Sequence, residues 1–152
     1  MPTLRPLALV ALALAASLLV PSFASAQTVT TATVTAWLAK YETAWEQRSA
    51  DQAAALFTET ATYRETPFAS PFAGRAAIRK YWTDVTADQR MIEFKSDVIA
   101  VQGNTGVAHW SATFETAASG DHVELDGVFV LTFGAAGLCS SLREWWHLPE
   151  SE

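Results

Sequence analysis

The sequence predicts an α+β domain in which three helices precede a strongly bent antiparallel sheet. Apolar residues recur at helical spacing in three segments before Asp88. After it, stretches rich in β-branched and aromatic residues alternate with Gly-containing turns. Six tryptophans in 152 residues also ask for a sheet rolled around the helices, enclosing an aromatic-lined cavity.

The first segment lies outside that fold. Arg5 precedes the apolar run Leu7 to Val20, and Ala24-Ser25-Ala26 forms a small-x-small cleavage pattern. The run is 14 residues long, short of the roughly 18 that a membrane span requires. Residues 1–26 therefore read as a secretory signal, residues 27–32 as a flexible N-terminus and residues 33–148 as the folded domain. The expected location is the periplasm or the medium. Removing Arg5 takes the formal net charge from −6 to −7, which excludes nucleic acid and an anionic membrane surface as partners. Cys139 is the only cysteine, so no intrachain disulfide can form, and it reads as a small buried apolar residue.

In the folded part, Val34, Trp37, Leu38, Tyr41, Ala44 and Trp45 make Thr33 to Arg48 an amphipathic helix, with Thr33 or Thr35 as its cap. Ser49 or Asp51 can cap a short second helix, DQAAALF. The stretch ATYRETPF then reads as a strand with Tyr63 and Glu65 on one face and Arg64 on the other. A Pro-rich loop, TPFASPFAG, separates it from a third helix, GRAAIRKYWTDV. Four strands follow, MIEFKSDVIAVQ, TGVAHWSATFET, HVELDGVFVLTF and LCSSLREWWHL, with hairpin turns at GNTG, AASGD and GAAG.

Within this framework Glu65 is a candidate base, because a carboxylate facing an apolar cavity has a raised pKa. Its alternative is a strand-end charge paired with Arg75 or Arg79. Tyr41 could donate to a substrate oxygen or simply belong to the helix core. Glu144 and Trp146 share a strand face, with Arg143 and Trp145 on the other. Glu144 would be a second carboxylate in the cavity or the partner of a buried arginine. His109, mid-strand, is a further candidate acid or base. His109, His122 and His147 form no metal-ligand spacing, and no cofactor motif is present.

The stretches AALFTETATYRETPF, GRAAIRKYW and FGAAGLCSSLREWW, in this order, resemble the cone-shaped fold of the nuclear transport factor 2-like superfamily, and within it the SnoaL-like proteins. The superfamily includes ketosteroid isomerases, polyketide cyclases, scytalone dehydratase and limonene epoxide hydrolase. The isomerases carry a helix-one tyrosine 16 residues before a phenylalanine and a general base eight residues after it. Tyr41, Phe57 and Glu65 match that spacing. REWW resembles their closing strand, whose last Trp lines the pocket, which places Trp146 there. Their second oxyanion donor, an aspartate, is replaced by Phe129, and the nearest acid is Asp126, three residues away.

The resemblance implies a small apolar or aromatic ligand and cofactor-free isomerisation, cyclisation or dehydration. Glu65 would be the base, Tyr41 the oxyanion donor, and Glu144 or His109 the second acid or base. Tyr63, Phe68, Phe129 and Trp146 would shape the cavity. The same pocket would also serve a non-catalytic binder. A third possibility is a homodimer or interaction module formed through the outer sheet face, with Trp110 and Trp145 exposed on it.

Overall fold

A computed structural model describes residues 28–150, so the predicted signal, residues 1–26, and Gln27 lie outside the described residues. The order is α1 (Thr31–Glu46), α2 (Ala50–Ala55), β1 (Phe57–Arg64), β2 (Phe72–Ala73), α3 (Arg75–Val85), β3 (Gln89–Gln102), β4 (Thr105–Thr116), β5 (His122–Phe133) and β6 (Cys139–His147). Three helices pack on a six-stranded open sheet of order β2-β1-β6-β5-β4-β3. The α+β class and the cone-shaped architecture are as expected.

The first two helices start where side chains can satisfy the free N–H groups of a first turn. Thr30, not Thr33 or Thr35, caps α1, its hydroxyl accepting from the Thr33 amide at 3.1 Å. Ser49 caps α2 from the Gln52 amide at 3.3 Å. Between the two helices Arg48 turns the chain in the left-handed region, at φ 52°. Leu56 ends α2, so Phe57 opens β1 rather than closing the helix. Val34, Trp37, Leu38, Tyr41, Ala44 and Trp45 form the buried stripe of α1 as the periodicity requires.

The sheet differs from the expected antiparallel one at a single pairing. β1 runs parallel to β6, with Tyr63 opposite Leu142 and Arg64 opposite Arg143. The Pro-rich loop contributes the short strand β2, paired with β1 through Thr62–Ala73 and Tyr63–Phe72. β3 carries two register shifts against β4, between Arg90 and Glu93 and between Val98 and Ala100, and Met91 takes φ 52° at the first. Such bulges increase local twist and bend a strand, curling the sheet toward the helices.

Alternation along β4 buries Gly106, Ala108, Trp110 and Ala112 and turns His109 outward. Trp110 is therefore an interior residue, 1% exposed, and only Trp145 of the two expected outer-face tryptophans lies on the outer surface. Cys139 is buried, as expected.

Candidate functional site

The concave side of the sheet is filled by rings. Tyr41 of α1 stands against Trp37, Trp45, Trp82, Phe94 and Phe129, with ring centroids 5.2 to 6.1 Å apart. Trp110, Phe129 and Phe94 stack beneath it at 5.1 to 6.3 Å. Gly127 makes the stack possible. A methyl group there would sit 2.5 Å from the Trp145 carbonyl and 2.9 Å from the Trp110 ring.

Inside this aromatic shell lies one polar chain. β1 and β6 are neighbours, and the inward positions Tyr63 and Leu142 face each other across the parallel ladder. The next inward residue of β6 is Glu144, so the Tyr63 hydroxyl reaches it and donates to Oε1 at 2.9 Å. The Tyr63 and Tyr41 hydroxyls are 3.0 Å apart. A hydroxyl has one proton, so with Tyr63 donating to Glu144, Tyr41 donates to Tyr63. Tyr41, Tyr63 and Glu144 are 1%, 1% and 4% exposed, which makes the chain an interior one.

Burial sets the electrostatics. It holds the Glu144 carboxyl well above the usual carboxylate range, and the charge of Glu65 pushes the same way against the Tyr63 hydrogen bond. No basic side chain pairs with Glu144 among the described residues, which removes the expected alternative of a buried arginine partner. The carboxyl is therefore held toward its neutral form. One oxygen accepts from Tyr63, and the protonated form has its own O–H to give. Burial and the nearby Glu144 push Tyr41, Tyr63 and Tyr81 upward in the same way, so all three remain neutral phenols.

Glu144 borders a small cavity of about 50 Å³, walled by Tyr41, Tyr63, Trp45, Trp82, Trp110 and Trp146 among others. Trp45 donates its indole N–H to Gln89 Oε1 at 2.8 Å. The indole N–H groups of Trp82 and Trp110 are buried with no acceptor among the described residues. A larger groove of about 520 Å³ runs along α3, between Phe72, Ala77, Lys80 and Asp84. Glu65, Tyr81 and Val85 belong to both spaces.

The structure brings Glu65, Tyr41, Tyr63, Glu144 and Trp146 to one cavity. Glu65 lies one residue past the end of β1 and is half-buried. The arginines offered as its alternative partners are engaged elsewhere, Arg75 with Glu59 and Arg79 with Asp51. Tyr41 reaches the wall, but its proton goes to Tyr63, so it positions that residue instead of addressing a ligand directly.

The other three predicted residues lie elsewhere. His109 sits on the outer face between Asp97 (3.2 Å) and Asp126 (2.8 Å), which raise its pKa. It is not a cavity acid or base, because the two-residue period of β4 gives the inside to Trp110. Asp126 is drawn to His109 and does not reach the cavity; β5 has no bulge there. Phe68 is fully exposed, at 101%, on the Pro-rich loop. Phe129 is buried in the ring stack and supports the cavity from behind.

Trp45 of α1, Tyr81, Trp82 and Val85 of α3, and Gln89 at the start of β3 also line the cavity, although helical spacing alone places the first four in the helical segments. In the sequence, only the Tyr81 hydroxyl, on an otherwise apolar helical stripe, points to such a role.

The SnoaL-like domain family matches residues 34–141. No curated protein matches the chain. Among solved structures the chain is similar to SalBIII, an epoxide hydrolase/cyclase-like enzyme of pyran ring formation in the polyether salinomycin. That likeness has a TM-score of 0.65 at 22% identity, covering 74% of this chain and 89% of that one. It is also similar to a protein of ketosteroid isomerase-like fold from Catenulispora acidiphila, solved in complex with trimethylamine. Here the TM-score is 0.63 at 12% identity, over 72% and 83% of the chains. A ketosteroid isomerase-like protein from Erwinia carotovora gives 0.63 at 15% identity, over 80% and 97%. With the family match spanning most of the fold, from α1 into β6, the chain belongs to the SnoaL-like domain family.

Proposed function

We propose that the chain takes a small molecule into this pocket and catalyses cofactor-free proton transfer on it. The observation that carries the reading is Glu144, a buried carboxyl with no basic partner, oriented by Tyr63. A neutral buried acid is suited to protonating a ligand oxygen, and a tyrosine chain can then stabilise the carboxylate left behind. With a carbonyl compound, Glu144 gives its proton to the oxygen while Glu65 removes one from the adjacent carbon. The enol forms as the C–H bond breaks. In the reverse step Glu65 returns a proton to carbon and Glu144 recovers the one on oxygen. The same two groups would serve isomerisation, cyclisation or dehydration. The likeness to an epoxide hydrolase/cyclase-like enzyme supports chemistry at an oxygen function.

The test is hydrogen–deuterium exchange beside the carbonyl of a linear methyl ketone in D₂O, followed by NMR. The intact chain should accelerate exchange over buffer, and E144Q and E65Q should each lower that acceleration by about 100-fold. No acceleration by the intact chain would rule out the catalytic reading.

A second reading is a non-catalytic binder. It is favoured by how completely the rings fill the cone, leaving room for only the end of a ligand. It expects saturable binding of the same ketone without exchange. Export of the chain and a homodimer through the outer sheet face belong to the proposal as well. On that face Trp145 is 39% exposed with the Arg143 guanidinium 5.6 Å from its ring, and Ile99 is 58% exposed.

A further inference from the structure

We propose that the neck formed by Glu65, Tyr81 and Val85 selects the substrate, which is an elongated, largely apolar molecule with a small, unbranched, oxygen-bearing terminus. The inference rests on the acid–base reading in one respect, that Glu144 addresses the oxygen at the inner end.

The dimensions come first. The inner cavity has about 50 Å³ and the groove about 520 Å³. The cavity has about a tenth of the groove's volume, which suits one small end of a ligand. The bulk of a ligand must therefore stay in the groove. Of the walls, only Glu65, Tyr81 and Val85 border both spaces, and whatever reaches Glu144 from the groove passes between them.

The chemistry of the two ends differs. At the inner end stand Glu144 and Tyr63, which suit a carbonyl, hydroxyl or ether oxygen. Along the groove the walls are Phe72, Ala77 and the Tyr81 ring. Of its three charged residues, Lys80 and Asp84 pair with each other at 2.5 Å, and Glu65 stands at the neck. Away from Glu65 the paired charges offset one another, so the body of the groove favours an apolar chain.

Val85 sets the bore. Tyr81 is held in a ring cluster, 4.5 Å from Phe72, 5.0 Å from Tyr63 and 6.0 Å from Trp82. Glu65 follows directly on the last residue of β1, whose register fixes it. Val85, the last residue of α3, is half-buried and outside the ring cluster. Its two methyl groups are the part of the neck that a substitution can resize without moving a ring.

The experiment uses quenching of intrinsic fluorescence, because Trp45, Trp82, Trp110 and Trp146 line the cavity. The probes are methyl heptyl ketone, its isomer butyl tert-butyl ketone, and nonane. The full chain should bind the linear ketone at least about tenfold more tightly than the branched isomer. V85A should reduce that preference to about threefold or less, and V85I should weaken even the linear ketone. Equal binding of the isomers by the intact chain, an unchanged ratio in both variants, or no quenching by any probe would overturn the proposal. E144Q separates the two layers. If it leaves the advantage of the linear ketone over nonane intact while V85A acts as expected, the acid–base reading fails and the neck stands. If E144Q removes that advantage while the Val85 variants change nothing, the neck fails and the reading stands.

Discussion

Glu144 is an acid placed where a charge is costly, and this gives it a stability signature of its own. Its folded-state pKa is raised by burial, so the folded state holds its proton more tightly than the unfolded state does. The stabilising contribution is therefore complete below the ordinary carboxylate range and is lost as pH rises toward and through the folded value. E144Q keeps an acceptor for Tyr63 and removes the titration. Its melting temperature should gain on that of the parent chain as pH rises from 4 toward neutrality and above. Thermal unfolding across that range checks this, and parallel curves would refute it. His109 is also shifted upward, between Asp97 and Asp126, and its contribution too is lost as pH rises through its folded value. It is present in both proteins and cancels in the difference, and its exposed position keeps it small.

At the scale of elements, the site depends on how β4, β5 and β6 lie against one another. Gly127 is the point of closest approach, where the β6 backbone and the Trp110 ring leave no room for a side chain. G127A should cost at least about 2 kcal/mol of stability, since neither a backbone carbonyl nor a stacked indole yields easily. Denaturant unfolding would measure it, and a loss within ±0.5 kcal/mol, the range of an ordinary surface substitution, would show that the strands slide freely. Displacing Trp110 would also disturb the cavity wall, so the variant should lose the ketone-dependent quenching before it loses its secondary structure.

For the whole molecule, the open sheet curls over the helices and leaves Trp145 and Ile99 exposed. Native mass spectrometry of the protein recovered from the periplasm or medium would read both proposals at once. The expected protomer mass is that of a chain starting at Gln27, and the expected assembly is a dimer. An unprocessed protomer would refute cleavage after Ala26, and a monomer at micromolar concentration would refute the dimer.

Much of this was legible in the residues themselves. The helical stripe from Val34 to Trp45, the change to β-rich stretches after Asp88, and the parity that puts Glu144 and Trp146 on one face follow from periods of 3.6 and 2. The resemblance to the ketosteroid isomerases, carried by the spacing of Tyr41, Phe57 and Glu65, also implied that Tyr41 and Glu65 share a pocket. His109 and Trp110 were assigned to the wrong sides of β4, although the apolar parity Gly106, Ala108, Trp110 and Ala112 was there to be read. Other features were beyond any local pattern. That Tyr63 donates to Glu144 depends on β1 running parallel to β6, a pairing between segments some 80 residues apart. That Tyr81 and Val85 border both the groove and the cavity depends on where α3 packs against the sheet edge. Periodicity tells which face of an element is buried; what that face meets, and how much space remains between them, is decided only when the elements pack.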